Sequence, residues 1–294
     1  MPSGTTTVFG ASRASLASSL LWLLVMGAVA STAAIARADT AGIAAAFAAT
    51  GPDGAAPFDH SAWDRLLSAH VATGKDGVNR VDYTRLKADG QAALKAYLAA
   101  LEAADPARLD AAEQLAYWAN LYNAKTLDLV LDRYPVGSIR AVRLPDPSGV
   151  PQDGPWKAKS MRVSGIALSL DDIANTILRP RYMARDPRGH YLLNCLSVGC
   201  PNLLPQAITG ARLPAQLDAA ARAFVNHPRG VKVADREMHV SSLYVWYAED
   251  FGGLAGTLAH LRRHAAPALA DRLDRVEAIS GDSYDWTLND AAGG

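Results

Sequence analysis

The chain has 294 residues, and its 29 basic and 29 acidic side chains balance to a net charge of 0. A neutral surface gives no electrostatic reason to expect nucleic acid or anionic lipid as a partner. The length is enough to bury a core in one large domain or two small ones.

The first 38 residues read as a signal peptide. "SLLWLLVMGAVASTAAIA" is a run of apolar and small residues behind a single Arg13, and it ends at Ala36-Arg37-Ala38, a small–any–small cleavage pattern. The competing reading is an uncut anchor, since about eighteen such residues lie near the lower limit for spanning a bilayer. No cysteine follows the run to accept a lipid, and no later stretch is apolar enough to cross a membrane. The expected location is therefore periplasmic or secreted, with no membrane span after cleavage. Removing 38 of 294 residues leaves 256, with 27 basic against 29 acidic side chains.

Residues 39–57 are rich in Ala, Gly and Pro and are expected to form a short helix and a flexible lead-in. A single globular domain is expected over 58–289, with 290–294 as a tail. In "FDHSAWDRLLSAHV", Phe58, Trp63, Leu66, Leu67 and His70 recur at helical spacing behind Asp59 or Ser61 as cap. A turn and short strand follow, with Val78, Val81 and Tyr83 as the apolar residues. The next helix covers about Thr84 to Ala103, with Leu86, Leu94, Leu98 and Leu101 inward. The longest and most apolar helix starts at the Asp110 cap and stops before Pro135.

A broken Pro/Gly-rich stretch leads to a hairpin in "KSMRVSGIALSL" and a short helix capped by Ser169. "HYLLNCL" reads as a strand, followed by a helix from Pro214 to Asn226 and a hairpin turning near Asp235-Arg236. Three helical pieces, "LYVWYAEDF", "LAGTLAHLRRHA" and "PALADRLDRVEAI", finish the body. Strands that do not alternate regularly with helices favour an α+β domain, mainly helical with a small, mostly antiparallel sheet.

Asn120 and Asn123 stand three apart on one side of the long helix, among Leu115, Trp118, Leu121 and Leu127. A buried amide without partners costs roughly 1–3 kcal/mol, so these two must bind something. The candidates are a ligand, another side chain, or the backbone of the loop between Pro135 and Trp156.

"HYLLNCLSVGCPNLLP" carries the only two cysteines, Cys195 and Cys200, close after His190. In a straight strand His190 and Cys195 would point to opposite faces, because side chains alternate. Cys200, beyond a turn at Ser197 and Gly199, would then be the easier partner for His190. Four readings compete. A Cys195–Cys200 disulfide suits an oxidising compartment and closes a small loop of modest value. A thiol nucleophile would use His190 as base, with Asn120, Asn123 or Asp250 orienting it. A zinc site could draw on His190, His227 and His239, although C-x4-C is looser than the usual hook. The last reading is a pair of inert, buried thiols. Elsewhere, His60 and His70 sit at or near a helix start and an inner face. His260 and His264, separated by Arg262 and Arg263, read as a solvated pair. Tyr284, Asp285 and Trp286 read as a seal on the domain.

Four blocks together, "YWANLYNAKTLDLVL", "HYLLNCLSVGCPNL", "VWYAEDFG" and "SYDWTLN", resemble the family known as domain of unknown function 547. The resemblance runs from about Phe58 to Asn289, and its lead segment is similar to that of exported bacterial members. It implies that Trp118, Asn120, Asn123, His190, Cys195, Pro201, Asp250 and Trp286 occupy typical family positions. It also implies that Cys195 matters more than Cys200, since the second cysteine is not universal in the family; this runs against the strand parity. Papain-like and transglutaminase-like hydrolases offer an analogy only, because their nucleophile begins a helix and precedes the histidine.

Two functions follow as expectations. The first is a non-catalytic binding or assembly module, its partner an envelope protein or a peptide- or peptidoglycan-like ligand. The alternative is a thiol-dependent hydrolase or acyltransferase acting on amide bonds. No cofactor or metal is expected. The candidate residues are His190, Cys195, Cys200, Asn120, Asn123 and Asp250.

Overall fold

The computed structural model describes residues 39–144 and 153–293. The expected signal peptide and the centre of the Pro/Gly-rich stretch, residues 145–152, lie outside the described residues. The described residues divide into two units between Ala45 and Ala46. The described part of the first is helical from residue 39. The second holds all the remaining elements.

Residues 47–51 of the lead-in make contacts with the body. Phe47 sets its ring edge-on to Trp118 at 4.9 Å, the Gly51 amide donates to the Leu109 carbonyl at 2.7 Å, and Gln114 donates to the Ala49 carbonyl. One buried aromatic side chain here offsets the entropy that small residues cost on ordering.

Helix α1 (Ser61–His70) leads into an antiparallel pair, β1 (Val71–Thr73) and β2 (Asn79–Val81), with Val71 opposite Val81. Two short helical turns over residues 83–90 then run into α2 (Gln91–Ala103). At the centre stands α3 (Ala111–Leu131). Asp110 caps it by accepting from the amides of Ala112 and Glu113, a contribution of about 1 kcal/mol. Nearly all of its side chains are buried, as expected for a helix that other elements enclose on every side. Leu94, Leu98 and Leu101 of α2 are buried as well, each contributing roughly 2 kcal/mol by leaving water.

The hairpin β3 (Met161–Val163) and β4 (Ile166–Leu168) turns through Ser164 and Gly165, both at positive φ. Ser169 then caps the next helix reciprocally. Its hydroxyl accepts from the Asp172 amide, while the Asp172 carboxylate accepts from the Ser169 amide. That helix is wound as a π-helix over Asp172–Met183. After α4 (Leu213–Val225), β5 (Val231–Ala234) pairs antiparallel with β6 (Glu237–Ser241). Helices α5 (Ser242–Trp246), α6 (Gly253–His264) and α7 (Pro267–Leu273) follow. The class is α+β, mainly helical with small sheets. Among the described residues no helix is long and apolar enough to cross a membrane.

Two expected elements are corrected. "HYLLNCL" is not a strand, because Pro187–Leu192 winds as a 3-10 helix started by Asp186, which accepts from the Arg188 amide. The parity argument that separated His190 from Cys195 therefore does not apply. The final helix ends at Leu273, and Ala278–Ser283 forms β7, parallel to β6. Asp290, placed in a tail, makes a β-bridge to Val81 and accepts a hydrogen bond from Tyr134.

Candidate functional site

The two asparagines of α3 act on backbone. Asn120 donates to the Ile208 carbonyl at 2.7 Å and accepts from the Ile208 amide at 3.1 Å. Asn123 does the same one turn on, donating to Leu192 at 2.8 Å and accepting from the Asn194 amide at 2.8 Å. Each amide offers one donor and one acceptor in a peptide-like plane and so replaces a missing strand partner. The loops held are 192–194 and 207–208, not the stretch between Pro135 and Trp156. Asn123 thereby fixes the backbone between His190 and Cys195.

Beyond that anchor the chain turns sharply. Asn194 accepts from the Leu196 amide at 2.7 Å, and Leu196 takes a positive φ of 60°. The C-terminal segment then clamps the loop from outside. Val198 and Gly199 donate to the carbonyls of Thr287 and Asp285, both at 2.8 Å, and Asn289 donates to Leu196. Gly199 is required here, since a Cβ would stand 2.6 Å from the Asp285 nitrogen. This clamp carries Tyr284 and Trp286 to the cysteines. The sulfurs of Cys195 and Cys200 lie at bonding distance, 2.11 Å. The Cys200 sulfur accepts from the Cys195 amide and from the Tyr284 hydroxyl, each at 3.0 Å. Cys200 is buried, whereas Cys195 is partly exposed.

His190 is buried and stacks on Tyr247 with ring centroids 4.2 Å apart. Its Nε2 lies 2.9 Å from Asp250, and the same carboxylate oxygen accepts from Arg179 at 2.7 Å. Burial pulls the imidazole down to about 4, against the opposing pull of Asp250, so the ring is neutral at pH 7. A carboxylate beside a guanidinium can only accept, so Nε2 carries the ring proton and Nδ1 holds the free lone pair. Asp250 reaches this position from the turn after α5, which ends at Gly252 in a left-handed conformation.

His190, Cys195 and Cys200 all line one cavity of about 310 Å³. Aromatic side chains contribute much of its wall, among them Trp156, Trp246, Tyr247, Tyr284 and Trp286. Trp286 meets Trp156 at 5.7 Å and Tyr284 at 4.7 Å. Tyr284 and Trp286, expected only to seal the domain, therefore face this space.

Sequence reasoning did not single out Arg179 or Tyr247; Tyr247 did fall inside a recognised block. His260 and His264 are not a solvated pair. His264 is buried, and His260 Nε2 sits 2.9 Å from the Tyr191 hydroxyl. Of the other zinc candidates, His227 bonds to the Asp76 carbonyl and His239 to Ser283. Among the described residues no group of three His, Cys, Asp or Glu side chains is arranged to hold a metal ion.

No curated protein and no solved structure matches the chain. Residues 106–225, a span that includes both asparagines, Arg179, His190 and the two cysteines, match the model of the family described as protein of unknown function, DUF547, and this match supports the resemblance drawn from the sequence.

Proposed function

We propose that the chain is a thiol-dependent acyl-transfer enzyme, a hydrolase or acyltransferase acting on amide-type bonds, with the Cys195–Cys200 disulfide as its resting form. The observation that carries this reading is the sharing of one cavity by a neutral, Asp250-oriented His190 and a cysteine pair. Activation needs an external dithiol. Its thiolate attacks the sulfur of Cys195, the more exposed of the two, and Cys200 leaves as a thiolate. Two donors, the Cys195 amide and the Tyr284 hydroxyl, favour that departure. The second thiol of the reductant then releases Cys195, taking the disulfide to two thiols and the dithiol to its own disulfide.

In the reduced enzyme His190 Nδ1 takes the Cys195 proton, and the thiolate adds to the substrate carbonyl carbon. The leaving amine takes the proton from the imidazolium as the carbon–nitrogen bond breaks. Water or an amine then cleaves the thioester. Arg179 and Asp250 keep the ring turned so that Nδ1 remains free.

The test is acylation of the reduced protein by p-nitrophenyl acetate, followed by peptide mass analysis. One acetyl group on Cys195, absent without reductant and lost in a folded His190→Gln variant, is the expected result. A folded, reduced protein that gains no acetyl group on either cysteine would overturn the proposal.

A closed disulfide favours a second reading, a binding module in which the aromatic cavity holds a ligand and the cysteines only brace the loop. In that case Cys195→Ser leaves ligand binding intact and reduction confers no reactivity.

A further inference from the structure

One formal charge stands alone in the lining of the cavity. Arg179 is matched by Asp250 at 2.7 Å, Lys159 pairs with Asp172 at 2.9 Å, and Arg140 pairs with Asp153. His190 is neutral. Asp171 also lines the cavity, and among the described residues no lysine or arginine is paired with it. Among the described residues its side-chain hydrogen-bond partner is the neutral amide of Asn175, which donates to it at 2.7 Å. After burial, the Asp171 charge is the next influence pushing the Tyr247 phenol up, so its field reaches the ring on which His190 stacks.

A carboxylate with no cationic partner, sharing a cavity with Trp156, Trp246 and Trp286, is a poor environment for an anion and a good one for an organic cation. The carboxylate supplies the counter-charge, and the indoles of Trp156 and Trp246 attract the methylenes and the ammonium group, the Trp286 ring already carrying the Arg140 guanidinium at 5.4 Å. We propose that the cavity selects a substrate whose acyl side carries an alkylammonium side chain of the lysine type, held by Asp171 and the indole wall. As a statement about substrate this rests on the acyl-transfer reading; as a statement about ligand binding it does not. A flat sugar ring is the other ligand that indoles favour, but a sugar would leave Asp171 without a counter-charge.

The experiment uses the oxidised protein, which has no free thiol, and follows quenching of its tryptophan fluorescence. The probes are Nα-acetyl-lysine methylamide, its uncharged analogue Nα-acetyl-norleucine methylamide, and N-acetylglucosamine. The lysine probe is expected to bind about tenfold more tightly than the norleucine probe. Asp171→Asn, which keeps the side-chain size, should bring that ratio to about one. Equal binding of the two amides, a preference unchanged in Asp171→Asn, or saturable binding of the sugar alone overturns the inference. So does the absence of saturable quenching by the lysine probe.

A second arm separates the two proposals. The reduced protein is treated with the p-nitrophenyl esters of Nα-acetyl-lysine and Nα-acetyl-norleucine. Faster acylation of Cys195 by the lysine ester supports both proposals. Selective binding without acylation by either ester keeps the charge selection and removes the enzyme.

Discussion

Two polar clusters, each tying together segments far apart in sequence, differ in what they leave unsatisfied. Asn120 and Asn123 give a donor and an acceptor each to backbone, and every one of those bonds ends inside the fold. His190, Asp250 and Arg179 also bond to one another, but the imidazole keeps a lone pair and borders a cavity shared with two sulfurs. Asn120, Asn123 and His190 are all buried, so burial alone does not separate the clusters. What sets the second apart is an imidazole that lines a cavity with one ring nitrogen uncommitted, and this is the mark of a site rather than a brace.

Acidification gives the largest expected contrast. The amides do not titrate, whereas burial holds His190 and His60 each at about 4, below the ordinary value of about 6.5. Between those values the unfolded chain binds more protons than the folded one. Stability is therefore full above about pH 6.5 and falls as pH drops toward 4, by on the order of several kcal/mol in all. Urea unfolding at pH 7 and pH 4.5 measures it; equal midpoints would show that these rings are not held neutral.

Next comes Asn120→Leu, which strands the Ile208 amide and carbonyl and should cost about 3 kcal/mol. The same variant, once reduced, should alkylate at Cys195 within about twofold of the parent rate, since this amide lies outside the cavity. A large loss of reactivity with little loss of stability would reverse the roles given to the two clusters.

Reduction of the disulfide opens only a short loop and should cost about 2 kcal/mol, leaving the fold intact by circular dichroism. Unfolding on reduction would make the cysteines a structural staple. The smallest expected effect is that of Asp250→Asn. It should slow alkylation of reduced Cys195 about tenfold, equivalent to ~1.4 kcal/mol, by loosening the imidazole. An unchanged rate would detach Asp250 from the chemistry.

Much of the frame could be read from local signals. Asp110 as a cap and the turn at Asp235, with its positive φ, act within a few residues of themselves, and so does the reciprocal cap at Ser169. Elements that depend on distant partners were misread. The first residues of β7, Ala278 and Ile279, look helical until β6 is placed beside them, because parallel pairing leaves no local turn to find. "HYLLNCL" alternates like a strand, yet Asp186 and Pro187 start a tight helix there. The paired amides were legible as groups that must bind something, but not the loops they hold. The contributions of Arg179, Tyr284 and Trp286 to the site come from segments that meet His190 only after folding.

The central claim is that His190 and Cys195 work together on one cavity. The most direct measurement is the rate at which iodoacetamide alkylates each cysteine in the reduced, folded protein at pH 7, with and without His190→Gln. The account predicts that Cys195 reacts first, ahead of buried Cys200, and that its rate falls about tenfold or more in the variant while the fold persists. Equal rates in parent and variant, or a Cys195 no more reactive than Cys200, would contradict it.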